Sequence, residues 1–241
     1  MKSEPTLPYE TRDLGPPPAP APPPPPASHG RRRATPARGP RRILFLAANP
    51  LGSDALRLGA ECAAIQAELC RAPHGDGFDF VSRWAVTVHD LMCQVMEIDP
   101  VVIHISGHGG GAAGLMLEDR HGHPHLVPAR ALAMMLQATA RRARLAVLNA
   151  CYSTAQAEAL RDVFECVIGM DGAIGDTAAR IFATRFYGAL AHRRSVGNAF
   201  AQAIAALAAD SLPDEVMPRC VTAADPDRLV LSPAPRRRRR A

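Results

Sequence analysis

The chain reads as an α/β protein built on a mostly parallel sheet with helices on both faces. Three observations predict this. Continuous apolar runs of strand length recur between residues 43 and 170, as expected of strands buried on both sides. Segments with helical spacing separate these runs, the alternation that specifies parallel pairing. Two of the runs, Val101-Val-Ile-His-Ile-Ser-Gly-His-Gly-Gly110 and Leu145-Ala-Val-Leu-Asn-Ala-Cys-Tyr-Ser153, end abruptly in small and reactive residues. That is how strands leave an open sheet at its carboxyl edge, where such sheets place their sites.

The elements run in this order. Residues 43–48 (Ile-Leu-Phe-Leu-Ala-Ala) predict a first strand, and Asn49-Pro-Leu-Gly-Ser-Asp54 a turn. Residues 56–70 have helical spacing, and 78–85 predict a second strand. Thr87 is placed to cap a helix running to Glu97, with Leu91, Val95 and Ile98 on one face. Residues 101–106 predict the third strand and 114–117 a short extra one. Pro128 suits the first turn of another helix. Strand 145–149, helix 154–162 and strand 166–170 come next, then closing helices at 175–190 and 196–209. Val221 and residues 229–231 are candidates for a last strand or hairpin.

Composition divides the chain into three parts: a tail at 1–42, one folded domain at 43–209, and an irregular segment at 210–241 that closes on arginines 236–240. The tail holds 13 of the 23 prolines, so it buries too little apolar surface to offset its ordering entropy. It carries eight Lys/Arg against three Asp/Glu, and residues from Ser211 onward carry seven against four. The tails therefore carry +8 between them, and residues 43–210 carry −3, which gives the net charge of +5. Basic tails of this kind hold nucleic acid weakly, by counterion release, or simply remain solvated.

The six cysteines (62, 70, 93, 151, 166 and 220) form no C-x-x-C pair and no disulfide framework. No apolar stretch approaches membrane-spanning length and no leader opens the sequence. The expectation is a cytoplasmic, reduced protein without a membrane span. Neither metal nor nucleotide is implied. His121-Gly-His-Pro-His125 lies in a polar loop without a thiolate or carboxylate at ligand spacing, and no G-x-x-x-x-G-K-[ST] segment is present. The loop at 120–127 is a candidate processing or gating segment.

The two abrupt strand ends carry the chemistry. His104, Ser106 and His108 alternate onto one strand face, where His104 reads as a buried core histidine and His108 as the group delivered between glycines. Cys151 comes after Asn149 and Ala150 at a helix start, a setting that favours a thiolate. If the two strands are parallel neighbours, a thiol and an imidazole lie side by side. Cysteine-based acyl transfer needs that pair, with His108 shuttling the proton and the backbone N–H groups of Gly109 and Cys151 as candidate oxyanion donors.

Five pieces together resemble the bacterial caspase-like proteases of the CHAT family, relatives of separase, metacaspases and caspases. They are Ser106-Gly-His-Gly109, Gly114-Leu-Met-Leu-Glu-Asp119, Leu148-Asn-Ala-Cys-Tyr-Ser153, Val167-Ile-Gly-Met170, and residues 176–190 with their D-x-A-A-x-x-F-x-x-x-F-Y-x-x-L pattern. The resemblance runs from about residue 43 to residue 209. It implies a caspase-like three-layer sandwich and a cysteine endopeptidase acting on a protein substrate without a cofactor, with His108 as general acid/base and Cys151 as nucleophile. It also implies an effector in bacterial defence or programmed death, switched on by a sensor protein. Separase-like relatives hold a basic residue before the scissile bond with an acidic group beyond the fifth strand. Asp176 and Asp171 lie in that stretch, and Asp176 alternatively caps the helix that begins there.

Two other readings compete with this one. Gly107-His-Gly-Gly-Gly111 looks like an esterase oxyanion loop, but no G-x-S-x-G elbow accompanies it. A caspase-like docking module with an idle dyad, binding partners through its tails, is the competitor from another class. Retention of both His108 and Cys151 in small-residue settings favours the enzyme.

Overall fold

The computed structural model describes residues 41–210 and 218–232. The proline-rich stretch to residue 40 and the closing arginines, with the expectations attached to them, lie outside these residues. In chain order the described elements are β1 (Arg41–Ala48), α1 (Leu58–Arg71), β2 (Phe78–Arg83), α2 (Val88–Ile98), β3 (Val102–Gly107), β4 (Leu115–Glu118), β5 (Pro124–Val127), α3 (Ala129–Thr139), β6 (Leu145–Asn149), α4 (Thr154–Leu160), β7 (Cys166–Met170), α5 (Asp176–Ala191), α6 (Val196–Ala209) and β8 (Pro218–Thr222).

Six strands make the central sheet in the order β2-β1-β3-β6-β7-β8, parallel throughout except that β8 runs antiparallel to β7. Strand alternation sorts its side chains onto two faces. Ile43, Phe45 and Ala47 of β1 join Val102 of β3 and Leu145 and Val147 of β6 in one apolar cluster with α1, α5 and α6. Leu44, Leu46 and Ala48 join Ile103, Ile105, Ala146 and Leu148 in a second cluster with α2, α3 and α4. The result is helix layer, sheet, helix layer. The chain turns outward from β1 in both directions, to β2 on one side and β3 on the other, so the crevice at the carboxyl ends of β1, β3 and β6 adjoins a topological switch point.

Local chemistry explains the element ends. Thr87 caps α2 as expected: its Oγ1 accepts from the Asp90 N–H at 3.2 Å while the Asp90 carboxylate accepts from the Thr87 N–H at 3.1 Å. At the lower edge of the sheet, Arg144 clamps Glu165 with two bonds of 2.6 and 2.9 Å, tying the entry of β6 to the entry of β7.

Three expectations change. The segment expected as a loop at 120–127 ends in β5, which pairs antiparallel with β4. Gly122, at φ +81°, makes the reversal between them, and the Asp119 carboxylate accepts the His121 and His123 N–H groups at 2.7 and 2.9 Å. Those two backbone donors hold Asp119 below the usual carboxylate range. The sequence shows β4 as the short strand at 114–117 but not β5, whose four residues are mostly exposed and begin with proline. Second, the candidate last strand divides: Val221 lies in β8, which pairs with β7, while Leu229 and Leu231 are buried in the first cluster without forming a strand. Third, α5 begins at Asp176 with Gly175 in the cap position and no side-chain cap, so Asp176 is not the N-cap. None of the described helices is long and apolar enough to cross a membrane.

Candidate active site

The register of the parallel β3–β6 pair sets Ser106 opposite Asn149. Two residues further along each strand come His108 and Cys151, both on the face that carries α1 and α5. The apolar runs end here because the sheet ends here. Beyond each strand end the backbone must turn, and glycines and a strained tyrosine make the turns. Gly109 packs so closely on the next strand that a Cβ there would meet the Cys151 carbonyl oxygen at 1.8 Å. Tyr152 sits at φ +52°, an uncommon conformation for a bulky residue, and its N–H donates to the Gly172 carbonyl at 3.0 Å.

His108 and Cys151 are both partly exposed and line one small cleft, together with Arg57, Glu61, Ser106, Asn149, Ile174 and Asp176. His108 Nε2 lies 2.9 Å from the Asp54 carbonyl oxygen and 3.3 Å from Asn49 Oδ1. Asn49 Oδ1 also accepts the Leu56 N–H at 3.4 Å, which fixes it as the oxygen. A ring nitrogen facing two acceptors carries a hydrogen, so Nδ1 is the nitrogen left to exchange a proton. Cys151 Sγ accepts the Ile174 N–H at 3.3 Å. Among the described residues, no hydrogen-bond partner serves the backbone N–H of Gly109 or of Cys151. The Gly109 loop is pinned elsewhere, by Gly110 N–H to the Gly114 carbonyl at 2.8 Å and by Gln156 Nε2 to the Gly111 carbonyl at 2.7 Å.

Beneath the cleft lies a buried polar chain. Glu61, 4% exposed, accepts from Ser106 Oγ and from Asn149 Nδ2, each at 2.5 Å. Its Oε1 lies 3.0 Å from Nε2 of the fully buried His104, whose Nδ1 bonds the Tyr187 hydroxyl at 3.0 Å. Burial, and then the charge on Glu61, push the Tyr187 hydroxyl well above its ordinary range. α1 thus lends the site a carboxylate and α5 a phenol.

The candidate substrate-binding acids separate. Asp176 lines the cleft and accepts the Arg57 N–H at 3.2 Å. Asp171 is exposed, holds Arg219 at 2.8 and 3.0 Å, and lies outside the cleft lining. The helix after Cys151 is also shorter than expected: α4 has seven residues and starts three positions past the cysteine. Sequence reasoning missed Glu61, Asn49 and the Asp54 carbonyl. Only Glu61 left a signal, as a charge on the stripe of α1 that buries Leu58, Cys62, Ile65 and Leu69.

The chain has counterparts among known proteins. A family model described as the CHAT domain matches residues 25–228. A "Roc-COR-CHAT protease" from an unknown prokaryotic organism is 24% identical over 182 residues, covering 73% of this chain and 17% of the relative. A "probable protease" from Gillisia limnaea is 23% identical over 147 residues, 60% of this chain and 26% of the relative. This chain thus spans about a quarter or less of the length of either protein. Among solved structures, caspase-1 from Spodoptera frugiperda superposes with a TM-score of 0.51 at 12% identity, covering 76% of this chain and 85% of that one, which establishes a caspase-like fold.

Proposed function

This chain belongs to the CHAT-domain family, and we propose that it is a cysteine endopeptidase with Cys151 as nucleophile and His108 as general acid/base. The single observation that carries the proposal is the pairing of His108 Nε2 with the Asp54 carbonyl, beside a thiol at the end of the neighbouring strand. It leaves Nδ1 to take the thiol proton. The two relatives named as proteases support the reaction class.

In the proposed cycle the Cys151 sulfur attacks the carbonyl carbon of a peptide bond while His108 Nδ1 accepts its proton. The Gly109 and Cys151 N–H groups receive the oxyanion. Collapse breaks the C–N bond, and His108 returns the proton to the leaving amine. Water, deprotonated by the same nitrogen, then hydrolyses the thioester and frees the enzyme. No cofactor enters.

The cleft beside Cys151 receives the side chain that precedes the scissile bond, and its two carboxylates, Asp176 and Glu61, favour a basic one. An effector role, with a protein substrate and a separate sensor that switches the enzyme on, completes the proposal and rests on family resemblance. The test is digestion of a peptide library with mass-spectrometric readout. The expected result is cleavage after Lys or Arg, abolished in Cys151→Ala and less selective in Asp176→Asn. Cleavage that survives Cys151→Ala, or a preference indifferent to Asp176, overturns the corresponding half.

A further inference from the structure

The edge of the sheet carries a pair of thiols. Cys166 opens β7 and Cys220 lies in β8, 54 positions later, yet their Sγ atoms stand 3.2 Å apart. The register sets Cys166 opposite Thr222 and Ile168 opposite Cys220, so the two cysteines are diagonal neighbours on the face packed by α5 and α6. Both are free thiols, and no other cysteine has a sulfur partner among the described residues. A single buried cysteine is ordinary core. Two sulfurs roughly one ångström beyond the length of a disulfide bond are a reactive pair. Cys166 is fully buried and Cys220 partly exposed. With Cys166 as donor, their contact and then burial push the Cys166 thiol up, while the same contact holds Cys220 below its usual range. The accessible sulfur is therefore also the one that ionises more readily. What β8 holds bears on the cleft. Arg219, next to Cys220, bonds Asp171 at 2.8 and 3.0 Å. From there the chain passes over Cys151: the Gly172 carbonyl accepts the Tyr152 N–H, and the Ile174 N–H donates to Cys151 Sγ at 3.3 Å. Among the described strands β8 is an edge, with β7 as its one neighbour.

We propose that Cys166 and Cys220 are a reversible redox pair, whose disulfide staples β8 to β7 and steadies the 171–174 turn against Cys151. The site stands apart from the proposed peptidase chemistry and does not rest on it. Its co-reactant is a small-molecule disulfide. The Cys220 thiolate attacks one sulfur of that molecule; the S–S bond breaks, and the first small thiolate leaves with the electron pair. Cys166 then attacks the Cys220 sulfur, forming the protein disulfide and expelling the second small thiolate. The two departing thiolates take up the two protons that the cysteines release. Two protein thiols are thus oxidised while one small disulfide is reduced to two thiols, and excess reductant runs the sequence backwards. The closed loop holds the 171–174 turn, α5 and α6, so the bond restricts the unfolded chain as well as the edge strand.

The experiment incubates the folded full chain with oxidised glutathione, alkylates the remaining thiols, and maps the disulfides by mass spectrometry of its peptides. Wild type is compared with Cys220→Ser and Cys166→Ala, and circular dichroism reports folding. The expected result is a peptide linked through Cys166 and Cys220 in wild type, lost on adding dithiothreitol. The oxidised wild type should melt about 5 °C or more above the reduced form, with slower amide hydrogen exchange across residues 171–174. Neither difference should appear in the variants. The disulfide map needs wild type alone, so a variant that does not fold leaves the test intact. Recovery of Cys166 and Cys220 alkylated, or of either carrying glutathione without the link, overturns the redox pair. A linked peptide that leaves Tm or the exchange of residues 171–174 unmoved overturns the stapling.

Discussion

His108 Nε2 and the carbonyl oxygen of Asp54 stand 2.9 Å apart, so the turn after β1 orients the imidazole delivered by β3. The orienting group is backbone and cannot be mutated away. Asn49 supplies the second oxygen, at 3.3 Å. A hydrogen bond of this kind is worth about 1 kcal/mol, or roughly a fivefold change in rate. Asn49→Ala should therefore slow peptide turnover severalfold, mainly in kcat, because the ring wanders while the Asp54 carbonyl still holds it. A steady-state comparison with wild type checks this; an unchanged kcat would mean that Asn49 does not orient His108.

Gly109→Ala should be far more damaging. The added Cβ would meet the Cys151 carbonyl oxygen at 1.8 Å and its carbonyl carbon at 2.9 Å, and backbone cannot yield as a flexible side chain would. The loop must move, taking one proposed oxyanion donor with it. Loss of such a donor costs about 10²–10³ in kcat, so turnover should fall by roughly that factor with KM little altered. A folded Gly109→Ala variant with wild-type kcat would remove this N–H from the mechanism.

The polar chain under the site makes a prediction about stability. Tyr187→Phe removes the partner of His104 Nδ1 and leaves a buried ring nitrogen unsatisfied, a cost of about 1–3 kcal/mol that urea unfolding will register. The pH dependence arises from the raised pKa of Tyr187, caused by burial and then by Glu61. An unfolded tyrosine titrates near pH 10 (about its free value), and the folded one higher. The stabilising contribution is fully present below the unfolded value and is lost as pH rises through the folded one. Wild type should therefore lose stability above about pH 10 more steeply than Tyr187→Phe. Parallel curves would show that the phenol is not the group responsible.

How much of this was legible in the sequence depends on what each feature is made of. Strands β1, β3, β6 and β7 announce themselves because both faces are buried, and His108 and Cys151 stand out because they end two of those runs. The pairing of Ser106 with Asn149, which turns two strand ends into one site, is a matter of register and leaves no local trace. The Asp54 carbonyl is invisible for a simpler reason: every residue has one. Glu61 was in plain view as a charge on an apolar stripe, but its three partners come from β3 and β6. Asp171 and Asp176 look alike in sequence. The structure separates them by giving Asp171 to Arg219 and Asp176 to the cleft.

The measurement that bears most directly on the central claim is intact-mass detection of covalent adducts after treatment with a peptidyl acyloxymethyl ketone ending in arginine, on wild type, Cys151→Ala and His108→Ala. One adduct per wild-type chain is expected, none in Cys151→Ala, and labelling slowed in His108→Ala by about 10²-fold or more. An adduct that persists in Cys151→Ala would remove Cys151 as the nucleophile.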